Sequence, residues 1–178
     1  MASNRPRKIC LDTVCILDAL EKRPGFVDPI TPVIKEAEDG KALIVVSSMA
    51  IAETLHISSR PNEDQLKIIE EFYDRPYVEP QAFDERIAWI AHMLRTQDKK
   101  VDAADAVHVA TAIDTECEVL LTRDGEGKRN RTKMLDLDGI KVPKRPPQTG
   151  EYPPVCIMRP QAWIALQEAQ AAPLFQRP

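Results

Sequence analysis

The sequence predicts an α/β fold built on a mainly parallel sheet, and three observations carry that expectation. Short apolar runs, among them Ile9-Cys10-Leu11, Leu43-Ile44-Val45-Val46 and Val119-Leu120-Leu121, alternate with longer stretches of helical periodicity. These runs are continuous rather than alternating apolar with polar, as strands covered on both faces are. Acidic residues then stand beside them: Asp12 closes the first run, Glu53 lies on the segment after the second, Asp105 opens an apolar helix and Asp124 follows the last. Ligands of parallel sheets bind at the carboxyl ends of the strands, so carboxylates distant in sequence can converge there.

Taken in order, residues 9–11 form a buried first strand, and 13–20 a helix that stops before Pro24-Gly25. A second helix spans 29–39, with prolines in its early turns and Gly40 at its stop. The second strand is 43–46, and Ser47 or Ser48 caps the helix carrying Met49, Glu53 and Leu55. A loop at 59–62 separates it from a helix over 63–74. Tyr77 and Val78 make a short third strand ending before Pro80. Phe83, Ile87, Ile90, Ala91 and Leu94 recur at helical spacing, giving an amphipathic helix to about residue 96. Helix 103–115 and strand 119–122 follow. The stretch 125–154 is basic, then rich in proline, with one short apolar patch at 134–137. A connection of that length is an active-site flap, a dimer arm or a disordered insertion.

A chain of 178 residues with 43% apolar content suits one domain with a real core. No apolar run is long enough to cross a bilayer. The first seven residues are polar with no apolar region after them, so the expectation is a cytoplasmic protein without a secretory signal. Cys10, Cys15, Cys117 and Cys156 lack the spacing of a zinc site and read as small core hydrophobes. Tyr77, Trp89 and Trp163 are assigned to packing. Net charge is −4, which argues against a nucleic-acid partner, but the charge is segregated: Arg123, Lys128, Arg129, Arg131 and Lys133 crowd one segment.

Each acidic residue has a plain structural explanation as well as a chemical one. Asp12 is placed to cap the helix from Thr13. Asp102 caps the helix from Ala103, and Asp105 would complete an acidic capping box. Glu53 suits an exposed helix face, and Asp124 a turn. His108, one helical turn after Asp105, is read as structural rather than as a general base. Four carboxylates gathered at one crevice repel each other unless a cation neutralises them, and oxygen-only donors suit Mg²⁺ or Mn²⁺. No glycine-rich phosphate loop occurs. A phosphatase using an Asp nucleophile at the first strand wants a second Asp two residues on, where this chain has Val14.

The residues Leu11-Asp12-Thr13, Val46-Ser47-Ser48 with Ala52-Glu53, the run Asp105-Ala106-Val107-His108-Val109-Ala110-Thr111-Ala112, and Leu121-Thr122-Arg123-Asp124 resemble the PIN domain of metal-dependent ribonucleases. The stretch 155–163, with Arg159-Pro160, looks like that family's last strand and the start of its last helix. The resemblance implies a Rossmann-like α/β/α sandwich with a central sheet of four to five strands over residues 7–168. The insertion at about 125–154 lies within it, and 169–178 form a flexible tail. It implies that Asp12, Glu53, Asp105 and Asp124 are catalytic and bind Mg²⁺ or Mn²⁺, Asp12 and Asp105 foremost. Glu53 and Asp124 hold a second ion or position the attacking water. Thr13, Ser47 and Thr122 orient the carboxylates, and Arg123, Lys128, Arg129, Arg131 and Lys133 contact RNA. The implied reaction is hydrolysis of RNA to a 5′-phosphate and a 3′-hydroxyl by a homodimeric toxin neutralised by an antitoxin protein. A housekeeping RNA-processing nuclease and a non-catalytic RNA- or protein-binding module are the alternatives.

Overall fold

The computed structural model describes residues 5–54, 57, 62–125 and 131–171, without the side chains of residues 62 and 63. Five strands, β1 (Arg7–Leu11), β2 (Ala42–Ser47), β3 (Val78–Gln81), β4 (Val119–Leu121) and β5 (Cys156–Met158), form one sheet in the order β3-β2-β1-β4-β5. Every pairing is parallel. The helices are α1 (Thr13–Glu21), α2 (Val27–Glu38), α3 (Ser48–Glu53), α4 (Asn62–Tyr73), α5 (Glu85–Gln97), α6 (Ala103–Asp114) and α7 (Pro160–Ala171).

The strand side chains sort by parity, as a pleat requires. Ile9, Leu11, Ile44, Val46, Val119 and Leu121 join one buried cluster with residues of α1, α2, α4 and α7. Cys10, Val45, Leu120 and Ile157 join the other with α5, α6 and residues 134–142. Two cores on opposite faces of a parallel sheet define an α/β/α sandwich. Each buried Ile or Leu contributes roughly 1.5–3 kcal/mol to it. The sheet order reverses direction at β1, whose neighbours are β2 and β4. The crevice at the carboxyl ends of β1 and β4 is therefore a topological switch point, where such sheets bind ligands.

Helix α6 is apolar almost all round because α5 covers it on one side and the sheet on the other; every residue from Ala106 to Ile113 is buried. Its N-cap is Asp102, whose carboxylate accepts the Ala104 N–H at 3.0 Å. Ser47, not Ser48, caps α3 by accepting the Met49 N–H at 3.1 Å. Ser48 instead accepts the Phe83 N–H.

Several expectations need correcting. Strand β3 runs through Pro80 to Gln81 rather than stopping before it, because β3 is an edge strand where a missing N–H costs little. Phe83 precedes the N-cap Asp84 and is exposed, so it is no part of the apolar stripe of α5. Helix α2 starts at Val27, earlier than expected, and holds Pro32 in its interior. Trp163 is buried, whereas Tyr77 and Trp89 are only half-buried, with Arg145 stacked on Trp89 at 4.0 Å. Helix α7 continues to Ala171, beyond residue 168. Leu55 and residues 59–61 lie outside the described residues, as do 172–178.

The described part of the 125–154 stretch is built into the protein. A short 3₁₀ helix, Met134–Leu137, buries Met134 and Leu137, and Val142 is buried beyond it. Asp138 accepts the Ile157 N–H at 2.7 Å, and the Tyr152 N–H donates to Val142 O at 2.8 Å. Gln97 of α5 donates to Lys141 O. Among the described residues no helix is long and apolar enough to cross a membrane.

Candidate acidic site

Strand β1 delivers Asp12 to the switch point. Its backbone N–H donates to Leu121 O at 3.0 Å, so the side chain emerges between β1 and β4, only 6% exposed. Thr122 Oγ donates to Asp12 Oδ2 at 2.7 Å and accepts the Asp124 N–H at 2.9 Å, tying the two acidic residues through one hydroxyl. Asp12 makes no side-chain cap to α1. Burial pushes its pKa up, against the pull of His108 and Thr122.

Glu53 ends α3 and reaches back to Thr13 and His108. Its Oε2 accepts Thr13 Oγ at 2.6 Å and lies 2.9 Å from His108 Nε2. The His108 hydrogen bond, helped by Thr13, holds the Glu53 carboxyl below its usual range. His108 is 1% exposed, and its Nε2 lies 3.9 Å from Asp12 Oδ1. Burial opposes its charge, but Glu53, Asp12 and Asp105 raise its pKa above the ordinary value. Among the described residues its Nδ1 is buried without a partner. The imidazole is thus a hydrogen-bonded member of the acidic cluster; the sequence places it one helical turn after Asp105 as a structural residue but does not show that Glu53 is its partner.

Asp105 lies in the first turn of α6, half-buried, and no capping box forms there. Among the described residues nothing donates a hydrogen bond to its carboxylate. Burial first, then the charges of Asp124, Asp102 and Asp12, push its pKa to about 6. Asp124 Oδ1 receives the Lys133 ammonium at 2.8 Å. The structure thus gathers Asp12, Glu53 and His108 in direct contact, joins Asp124 through Thr122, and leaves Asp105 bare beside them.

The supporting residues divide. Thr13 and Thr122 touch Glu53 and Asp12, while the Ser47 hydroxyl is spent on the α3 cap and reaches none of the four carboxylates in the hydrogen bonds described. Of the cations expected to face RNA, Arg123 turns inward. It grips Asp18, which is 0% exposed, at 2.5 and 2.8 Å and stacks on Phe26 at 3.9 Å. Arg131 pairs with Asp102, and Lys133 with Asp124. Lys128 and Arg129 lie outside the described residues. Asp18 was also missed, although a lone carboxylate inside Cys15-Ile16-Leu17-Asp18-Ala19 signals a buried partner.

Among the described residues, no three His, Cys, Asp or Glu side chains are grouped as a ready metal site. The donor set nevertheless suits a hard cation. Its free oxygens are carboxylate, and a divalent charge would offset both the burial and the neighbouring negative charges that lift Asp105. Mg²⁺ keeps several waters and takes one or two carboxylates from a protein, so two of these carboxylates would be donors enough.

An α/β/α sandwich with an acidic cluster at its switch point defines a class, and the class has a name. The family model for the PIN domain matches residues 9–132. The chain belongs to the PIN domain family, a family of nucleases. Among solved structures, VapBC2 from Rickettsia felis, bound to a DNA fragment from its promoter, is similar with a TM-score of 0.53 and 20% identity. That match covers 66% of this chain and 88% of the other. FitAcB from Neisseria gonorrhoeae has a TM-score of 0.47 and 25% identity over 65% of this chain and 87% of its own. No curated protein matches the chain.

Proposed function

We propose that this protein is an Mg²⁺- or Mn²⁺-dependent endoribonuclease, with residues 7–168 acting as one catalytic unit. The observation that carries the reading is the linked set Asp12, Glu53, His108, Thr122 and Asp124 at the switch point, with Asp105 unpartnered beside it.

Asp12 and Asp105 would hold the ion. When bound, the ion supplies Lewis-acid polarisation of a phosphoryl oxygen and lowers the pKa of water. The residues provide the rest. Thr122 fixes Asp12 through Oδ2 and leaves Oδ1 turned toward the crevice side occupied by His108. Glu53, kept ionised by His108 and Thr13, accepts a hydrogen bond from the attacking water and orients it. Asp124, pinned at its N–H by Thr122, flanks the phosphate with Lys133. By the family resemblance the products are a 5′-phosphate and a 3′-hydroxyl.

The same reading extends to setting. We take the chain to be the toxin of a toxin–antitoxin pair, acting as a homodimer on cytoplasmic RNA and restrained by an antitoxin. The toxin–antitoxin resemblance of the sequence supports this, and the R. felis assembly offers the same fold. Incubation of a mixed RNA pool with Mn²⁺ tests the activity: cleavage that EDTA stops and that Asp12→Asn lacks supports it. One observation favours a second reading, a non-catalytic RNA- or protein-binding module. Glu53 and Asp124 are already engaged by His108 and Lys133. RNA bound tightly but left intact by the metal-loaded protein would select that reading.

A further inference from the structure

The segment that begins where the family match ends, at residue 132, brings a cation into the acidic cluster. Lys133 Nζ stands 2.8 Å from Asp124 Oδ1, with the lysine side chain 19% exposed. Asp124 in turn is among the charges that raise Asp105. Lys133 is not a loose surface lysine. Thr132 Oγ donates to Asp98 at 2.5 Å, and Thr132 bridges Val101 in parallel. Arg131 pairs with Asp102. The Leu135 N–H donates to Asp124 O, and Asp136 accepts the Lys133 N–H at 2.9 Å. Met134, next in the chain, is buried in the core. Both neighbours of Lys133 are thus fixed, so the backbone from which its side chain reaches Asp124 is held in place.

Resting on the nuclease reading above, we propose that Lys133 is a built-in replacement for a second metal ion. The chain binds one divalent cation at Asp12 and Asp105, and the Lys133 ammonium supplies the other positive charge at Asp124, where it meets the RNA phosphate. A second divalent ion would need Glu53 and Asp124. Thr13 and His108 both meet Glu53 on Oε2, whereas Asp124 Oδ1 is taken by Lys133, so the lysine alone stands where that ion's charge would fall. Lysine suits the role: its ammonium is a compact point charge on a flexible stem, able to shift between a carboxylate and an incoming phosphate oxygen. The insertion then has a catalytic purpose, because its burial of Met134 and Leu137 sets where Lys133 stands.

Counting ions tests this apart from turnover. Mn²⁺ binding to the full chain is measured by calorimetry and by the electron paramagnetic resonance of free Mn²⁺. The variants are wild type, Lys133→Met, Lys133→Gln, Lys133→Arg and Asp105→Asn, each checked for fold by circular dichroism. The expected result is a single ion in wild type and in Lys133→Arg, with that binding lost in Asp105→Asn. Stoichiometry doubles in Lys133→Met and Lys133→Gln, either of which suffices if the other misfolds. RNA cleavage by the two neutral variants falls when Mn²⁺ fills only the first site and recovers in excess Mn²⁺. Two ions in wild type, or an unchanged count in both neutral variants, overturns the inference and leaves the nuclease reading standing. No ion in wild type, or binding indifferent to Asp105→Asn, overturns both.

Discussion

Replacing Asp105 by asparagine removes a charge that the metal-free protein is poorly built to carry. In the unfolded chain this carboxyl titrates near 3.8, and in the folded protein near 6. The folded state therefore binds the proton more tightly, and the stability this group contributes is present below pH 3.8 and lost as pH rises through about 6. Undiminished, that difference would destabilise the protein at pH 7.5 by about 3 kcal/mol. Asp105 is half-buried, so solvent screening reduces it to about 1.5 kcal/mol. Against this, an aspartate in the first turn of α6 gains about 0.5 kcal/mol from the helix dipole, which asparagine forfeits. The net expectation is that Asp105→Asn stabilises the metal-free protein by about 1 kcal/mol, a rise in Tm of about 2–4 °C for a chain of this size. Thermal unfolding in EDTA at pH 7.5 measures it, and the advantage should vanish near pH 4. Addition of Mg²⁺ or Mn²⁺ reverses the order, raising the wild-type Tm by mass action while leaving Asp105→Asn unmoved. A variant less stable than wild type in EDTA, with the same Tm response to metal, would refute the reasoning.

Other consequences follow from the packing. Asp18→Ala leaves the Arg123 guanidinium half-buried and unpaired at the end of β4, and urea unfolding should record a loss of about 3 kcal/mol. Met134→Ala opens a cavity under the insertion and should cost about 2–4 kcal/mol, where a free flap would lose almost nothing. Gly125→Ala brings a Cβ into collision with Leu135 Cδ1, forcing that side chain aside. We expect about 1–2 kcal/mol of destabilisation, with faster proteolysis around residues 131–137.

Much of the fold was legible because its signals are local. Continuous apolar runs mark strands covered on both faces, and Ser47, Asp102 and Gly40 punctuate helices by chemistry that needs no tertiary context. Pro80 misled because only the sheet order reveals β3 as an edge. Phe83 misled because helical spacing cannot show that Asp84 caps a helix beginning only at Glu85. At the site, the carboxylates could be named from their places beside strands. Their partners could not. Arg123 and Lys133 both read as free cations in a basic run. One is drawn to Asp18, 105 residues earlier, and the other to Asp124. Such pairings depend on which strand ends lie side by side, and the order β2-β1-β4 is a tertiary fact. The partner of His108 was hidden for the same reason: it is Glu53, on a helix reached through a different strand.

Metal-dependent hydrolysis of RNA, supported by Asp12 and Asp105, is the activity we propose. The most direct measurement is sequencing of the ends produced from a total RNA pool by wild type, Asp12→Asn and Asp105→Asn, each folded and purified identically, in Mn²⁺ and in EDTA. New 5′-phosphate ends are expected from wild type in Mn²⁺ alone, and none above background from either variant. Ends that persist in EDTA, or that both variants generate as readily as wild type, would contradict it.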